Sequence, residues 1–213
     1  MRHVFRHMAA VAMAALSTAA AAHPHIFVST GLTLVRDEGR LVGVEVVWQY
    51  DEFYSLLVLE DMGLDADYDG TLTDAELAQL DGFDMNWIEG FAGDLYAMQA
   101  GRAVRLGPPE RRGTTLSEGK ITSRHFRPVE GGTAGEAWTF KPYDPTFYTA
   151  YDMGLGVSGP DGCEVKIVAP DIGAAQEKLL AELAQIPEDG ESDYPQVGEQ
   201  FAETVVVTCA AGS

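Results

Sequence analysis

Positive charge is scarce in this sequence. Fourteen Lys and Arg stand against 33 Asp and Glu, a formal net charge of −19. A surface this acidic repels phosphate backbones, which argues against nucleic acid as a partner. Cysteine is limited to two residues, Cys163 and Cys209, without Cys-x-x-Cys spacing. That argues against a redox or metal-binding cysteine pair. No apolar run reaches the roughly 20 residues that span a bilayer. There is no Gly-x-Ser-x-Gly elbow, no phosphate-cradling glycine loop and no internal repeat. The chain therefore offers no catalytic constellation and is read as a binding protein, not an enzyme.

What remains is the profile of a globular protein, 46% hydrophobic and 22% charged over 213 residues. The N-terminus reads as a secretory signal. Arg2 and Arg6 supply a positive start, residues 8–16 are apolar and Ala-rich, and Ala20-Ala21-Ala22 fits the small-x-small cleavage rule. The alternative is an uncleaved anchor. Cleavage after Ala22 leaves residues 23–213 as a single domain, makes His23 the first residue and removes two positive charges. The expected location is a bacterial periplasm. An exported cysteine pair is usually oxidised. Cys163 and Cys209 each flank a β-type run, residues 164–168 and 204–208, so a disulfide is expected to staple two strands.

Residues 26–35 and 41–50 predict a hairpin around the turn Asp37-Glu38-Gly39, with Val44, Val46, Trp48 and Tyr50 on one buried face. Asp51 caps a helix running to about Met62. A second helical stripe follows from Leu77 through Leu80 toward Phe83 and Trp87. Residues 95–106 read as one strand, residues 107–119 as a polar turn region, and residues 121–129 and 137–140 as strands. Phe147, Tyr148 and Tyr151 form an aromatic core cluster. Asp171 caps a C-terminal helix with the stripe Ile172, Ala175, Leu179, Leu183 and Ile186. The expected class is α+β: mainly antiparallel β with an inserted helix–calcium loop–helix over about residues 52–90, a C-terminal helix and one disulfide.

The strongest local signal runs from Asp65 to Glu76. Asp65, Asp67 and Asp69 alternate, Gly70 follows where the chain must turn sharply, and Glu76 closes the run. Thr71 offers its backbone carbonyl, and Leu72 is the apolar position that packs inward. Four carboxylates crowded together repel one another unless a hard cation neutralises them, and Ca²⁺ takes six to eight such oxygens. The expected calcium ligands are Asp65, Asp67, Asp69, Thr71 and Glu76. Thr73 and Glu76 also form a capping box for the outgoing helix.

Only five histidines occur, and His3 and His7 leave with the signal. Two of the remaining three open the mature chain as His23-Pro24-His25. A free amine and two imidazoles suit Zn²⁺, Ni²⁺, Co²⁺ or Cu²⁺. Pro24 has no N–H, so it cannot become a deprotonated amide ligand. His125, in a strand, is the further ligand candidate. The alternatives are a terminal leftover for His23 and His25, and an ordinary hydrogen-bonded residue for His125. A copper-dependent redox enzyme built on the N-terminal histidine is a weaker third idea.

Three stretches carry a family likeness. They are His23-Pro24-His25-Ile26-Phe27 after the signal, Trp48-x-Tyr50-Asp51-Glu52-x-Tyr54-Ser55 ahead of the Asp-x-Asp-x-Asp-Gly run, and Gly198-x-x-Phe201-Ala202-Glu203-x-Val205-x-Val207-x-Cys209. Together they resemble a family of bacterial periplasmic proteins of undetermined function. Its members are often labelled substrate-binding or periplasmic components of an ABC-type transport system. They are commonly encoded beside NicO-type nickel/cobalt permeases, and a zinc-utilisation branch is similar. The resemblance covers nearly the whole mature chain. It implies a soluble periplasmic partner of an inner-membrane metal permease, with His23 and His25 as ligands. The competing expectation is a calcium-stabilised structural or interaction module without a transition-metal role.

One expectation is checked directly by mass spectrometry of the exported protein. The mature chain begins at His23; any other first residue removes the amine–imidazole chelate from consideration.

Overall fold

The computed structural model describes residues 24–131, 137–159, 161–186 and 195–209. Two five-stranded sheets face each other. The first contains β1 (Ile26–Asp37), β2 (Arg40–Tyr50), β5 (Glu110–Ser117), β6 (Lys120–Pro128) and β8 (Thr149–Ser158), in the order β5-β6-β2-β1-β8. The second contains β3 (Leu95–Gln99), β4 (Arg102–Val104), β7 (Trp138–Pro142), β9 (Cys163–Val168) and β10 (Thr204–Cys209), in the order β4-β3-β7-β10-β9. Among the described residues four helices accompany them: α1 (Glu52–Met62), α2 (Asp74–Leu80), α3 (Ile172–Leu183) and α4 (Gly198–Phe201).

The hydrophobic alternation of β2 sets the inner face of the first sheet. Val44, Val46, Trp48 and Tyr50 are buried, beside Val28 and Leu32 of β1. Leu95, Ala97, Phe140, Val205 and Val207 of the second sheet join them in one core. This is the arrangement of a β-sandwich, in which the two inner faces interdigitate. Burying those side chains drives association of the sheets, at roughly 25 cal/mol per Å² of apolar surface removed from water.

The first hairpin and the C-terminal staple follow expectation. β1 and β2 pair antiparallel with Thr30 opposite Trp48. Cys163 and Cys209 are direct partners in the β9–β10 ladder and are joined by a disulfide. A disulfide of this kind marks a chain that matures outside the reducing cytoplasm. Among the described residues, no helix is long and apolar enough to cross a membrane.

Other elements differ from the sequence reading. The strand expected over residues 95–106 is a hairpin, because Ala100 and Gly101 both take left-handed φ, 48° and 75°, and reverse the chain. The expected turn region 107–119 contains β5. Its residues are largely exposed because it is an edge strand, so it carries no apolar alternation to reveal it. The helical stripe ends at Leu80, since Asp81 is extended and Gly82 sits at φ 75°. The aromatic segment runs into β8, which pairs parallel to β1, so the first sheet is mixed. In α3, Ala175 is buried but Ile172 is 47% exposed, so the stripe's first member stays in solvent.

The disulfide closes a separation of 46 residues. Replacing both cysteines with serine is expected to lower unfolding stability by about 4 kcal/mol in the chain-entropy picture. Urea denaturation of the two forms measures it; equal midpoints would show that the ladder alone holds β9 to β10.

Candidate metal site

The acidic loop lies between α1 and α2, and each end of it is fixed by local chemistry. Asp51 caps α1, its side chain accepting from the Tyr54 N–H at 2.9 Å. Gly63 ends α1 in the left-handed conformation, and the Leu64 N–H donates to the Leu59 carbonyl at 2.9 Å. This is a glycine C-cap with an apolar residue just beyond it. Leu64 and Leu72 are both buried and pin the two ends of the loop to the core. At the far end the capping box is complete: the Thr73 hydroxyl accepts from the Glu76 N–H, and Glu76 Oε2 accepts from the Thr73 N–H at 2.8 Å.

Within the loop, Asp65 Oδ1 accepts from the Asp69 N–H at 3.1 Å and the Gly70 N–H at 3.2 Å. Asp69 Oδ1 accepts from the Thr71 N–H at 2.7 Å. These bonds curl the chain so that one carboxylate oxygen each from Asp65, Asp67 and Asp69 lies within 4.8 Å of the others. Gly70, at φ 75°, has open space where a Cβ would stand, so its requirement is conformational. Glu76 reaches back across the loop, and its Oε1 accepts from the Asp65 N–H at 3.1 Å. Hydrogen bonds from Thr73 and from the Asp65 backbone hold its carboxyl below the ordinary glutamate range. The three aspartates therefore converge, and Glu76 stands at the loop's closing bond. The oxygen-only donor set fits a hard divalent cation.

His25 and His125 are not brought together. His23 lies outside the described residues. His25 is exposed at the start of the first sheet, its ring 4.8 Å from that of Tyr148 and its N–H donating to the Tyr148 carbonyl. His125 is fully buried on the inner face of β6, opposite Val46 of β2, which in turn faces Leu32 of β1. Leu32 is seven positions along β1 from His25. At about 3.3 Å per residue this is some 23 Å, an order of magnitude beyond a metal–nitrogen bond.

His125 instead belongs to a buried polar cluster that the sequence did not announce. Its ring meets Trp48 edge-on at 4.7 Å and lies 5.8 Å from Trp87, and among the described residues neither ring nitrogen has a hydrogen-bond partner. Burial, with Arg127 nearby, pushes its pKa down to about 3. Asp84 accepts from the Tyr50 hydroxyl at 2.7 Å and the Ser123 hydroxyl at 2.5 Å. Asp94 accepts from the Tyr151 hydroxyl at 2.9 Å, and burial raises its carboxyl to about 7. No local motif marks these residues. The only hint is that β6 alternates Ser123, His125, Arg127 on the face that the neighbouring strand buries.

Comparison with known proteins agrees with the length of the fold. The profile of a family described as "Protein of unknown function (DUF1007)" matches residues 8–209. An uncharacterized protein of Haemophilus influenzae is 25% identical over 198 residues, covering 88% of this chain and 91% of that one. No solved structure matches the chain.

The buried pair predicts opposite pH limbs. His125 binds its proton more readily unfolded, so its contribution is lost as pH falls from about 6.5 toward 3. Asp94 binds its proton more readily folded, so its contribution is present below about 4 and lost as pH rises through 7. Each pH unit is worth about 1.4 kcal/mol at most. Denaturation at pH 4.5, 6 and 8 should show His125→Phe flattening the acid limb. Asp94→Asn should gain on the parent protein as pH rises. Parallel profiles for parent and variants would remove both assignments.

Proposed function

We propose a function for this chain, which belongs to the protein family of unknown function DUF1007. It is a periplasmic metal-handling accessory protein, a binding protein without catalysis of its own. Its α1–loop–α2 segment acts as an EF-hand-like calcium site with Asp65, Asp67, Asp69, Thr71 and Glu76 as ligands. Its mature N-terminus, His23-Pro24-His25, takes one Zn²⁺, Ni²⁺ or Co²⁺ ion as cargo and exchanges it with an inner-membrane permease of the NicO type. The signal segment delivers the chain to the periplasm as a single domain, residues 23–213.

The observation that carries the calcium half is the approach of three aspartate oxygens to within 4.8 Å in a loop held by caps at both ends. Like charges so close favour a cation between them. Occupancy stiffens the connection between α1 and α2, so calcium is structural here. The cargo half rests on composition: exposed His25 sits at the chain start, where a free amine and a second imidazole complete a chelate. The acidic surface raises the local cation concentration, and the nitrogen ligands select among cations.

A second reading is a calcium-stabilised structural or interaction module. The placement of His125 in the core favours it, because that leaves the terminal amine, His23 and His25 as the whole nitrogen donor set.

Two titrations of the mature protein separate these readings. With calcium, isothermal titration should show one site in the micromolar to millimolar range, lost in Asp65→Ala, and a melting temperature raised by calcium in the parent only. With zinc or nickel, the parent should bind one equivalent, and His23→Ala/His25→Ala should lower affinity at least tenfold. Undiminished zinc binding in that double variant would end the cargo reading and leave the calcium module standing.

A further inference from the structure

A cavity of about 1020 Å³ lies between the loop that follows α2 and the β4–β3–β7 end of the second sheet. That volume is at the upper end of small-molecule sites, which span roughly 300–1,000 Å³. One wall follows from strand alternation. Leu95 and Ala97 point into the core, so Tyr96 and Met98 take the other face, together with their β7 partners Lys141 and Thr139. Tyr143 stacks on Tyr96 with ring centroids 4.1 Å apart and planes 15° from parallel. Trp87 and Phe91, packed edge to face at 5.5 Å, also line the cavity. Ile88, beside them, is 80% exposed, and Phe91 is 41% exposed. Apolar side chains left in water at a cavity mouth are the kind a ligand covers.

The charge lining the cavity runs against the rest of the molecule. Arg105, Arg127 and Lys141 line it, against Glu89 and Glu199, in a chain whose acidic residues outnumber its basic ones 33 to 14. Lys141 is paired with Glu199 at 3.0 Å and Arg105 with Glu130 at 3.6 Å. Arg127 is different. The residue is 3% exposed, and its guanidinium lies 4.6 Å over the Trp87 ring and donates to the carbonyls of Gly107, Ala92 and Leu106 at 2.6, 3.1 and 3.2 Å. Among the described residues no carboxylate neutralises it. Carbonyl dipoles satisfy its donors and leave its unit charge, which a buried site balances best with an anion.

We propose that this cavity binds a small organic anion with a flat, aromatic or otherwise apolar body. The body packs against Trp87 and the Tyr96–Tyr143 pair, and the acidic group is drawn toward Arg127 and Lys141. Neither His25 nor Asp65, Asp67, Asp69 or Glu76 lines this cavity, and the proposal stands whether or not those residues bind an ion.

The test uses the disulfide-bonded mature protein and two fluorescent probes of nearly equal shape, anionic 8-anilinonaphthalene-1-sulfonate and neutral N-phenyl-1-naphthylamine. The anion should bind saturably at one site, at least tenfold tighter than the neutral probe. Met98→Trp, which adds bulk on the Tyr96 face of the cavity, should weaken anion binding several-fold while the circular dichroism spectrum and melting temperature stay unchanged. Lys141→Gln and Arg127→Met should weaken the anion several-fold and leave the neutral probe unaffected. If Arg127→Met fails to fold, Lys141→Gln alone decides the charge dependence. Equal affinity for the two probes, or anion affinity unchanged in both Met98→Trp and Lys141→Gln, overturns the proposal.

Discussion

The inner face of β6 carries Ser123, His125 and Arg127 beside Ile121, and burying polar groups inside a sandwich demands partners or costs free energy. Much of this structure follows from how that demand is met. Residues 81–94 have no helix or strand of their own, yet they thread back into the core carrying what β6 needs. Asp84 takes the hydroxyls of Ser123 and Tyr50. Trp87 lies under Arg127 and beside His125. The Ala92 carbonyl accepts from Arg127. Asp94 then meets Tyr151 across the core. An irregular segment is thereby tied to the core by side-chain hydrogen bonds.

That fixing places both regions of functional interest. The segment begins where α2 ends, so the acidic loop between α1 and α2 is anchored at its outgoing end to the same core that holds Asp84. Further on, the segment supplies Trp87 and Phe91 to the cavity lining, and its final residues lead into β3, which contributes Tyr96 and Met98. The acidic loop and the cavity are two ends of one tethered stretch. Gly93 shows how tight the packing is: a Cβ there would lie 2.5 Å from an Arg127 nitrogen and 2.3 Å from the Trp87 ring. Only glycine lets the chain pass between them.

The acidic excess and the buried Arg127 are parts of one electrostatic arrangement. Carboxylates cover the surface, where water screens them, and the aspartates of the loop are gathered where a cation can offset their repulsion. Arg127 is taken out of water and held by carbonyls, whose dipoles oppose its charge without cancelling it. Asp94 responds to the same low-dielectric interior by holding its proton to near neutral pH, and His125 by shedding its own.

Local rules read much of this chain correctly. Period-two alternation in residues 41–50 marked a strand with one buried face, the Asp-Gly-Thr-Leu-Thr run carried its turn and cap chemistry on its surface, and two exported cysteines beside β-type runs implied their bond. These features are set within a dozen residues or by covalent chemistry, so the sequence alone determines them. It could not reveal that β5 is an exposed edge, that β8 pairs parallel with β1, or that Arg127 and His125 face inward while Phe126 faces out. Those outcomes depend on partners far along the chain: a strand's inward face is chosen by whichever side the whole sheet buries, and a buried charge is tolerated only where distant carbonyls and rings converge to receive it.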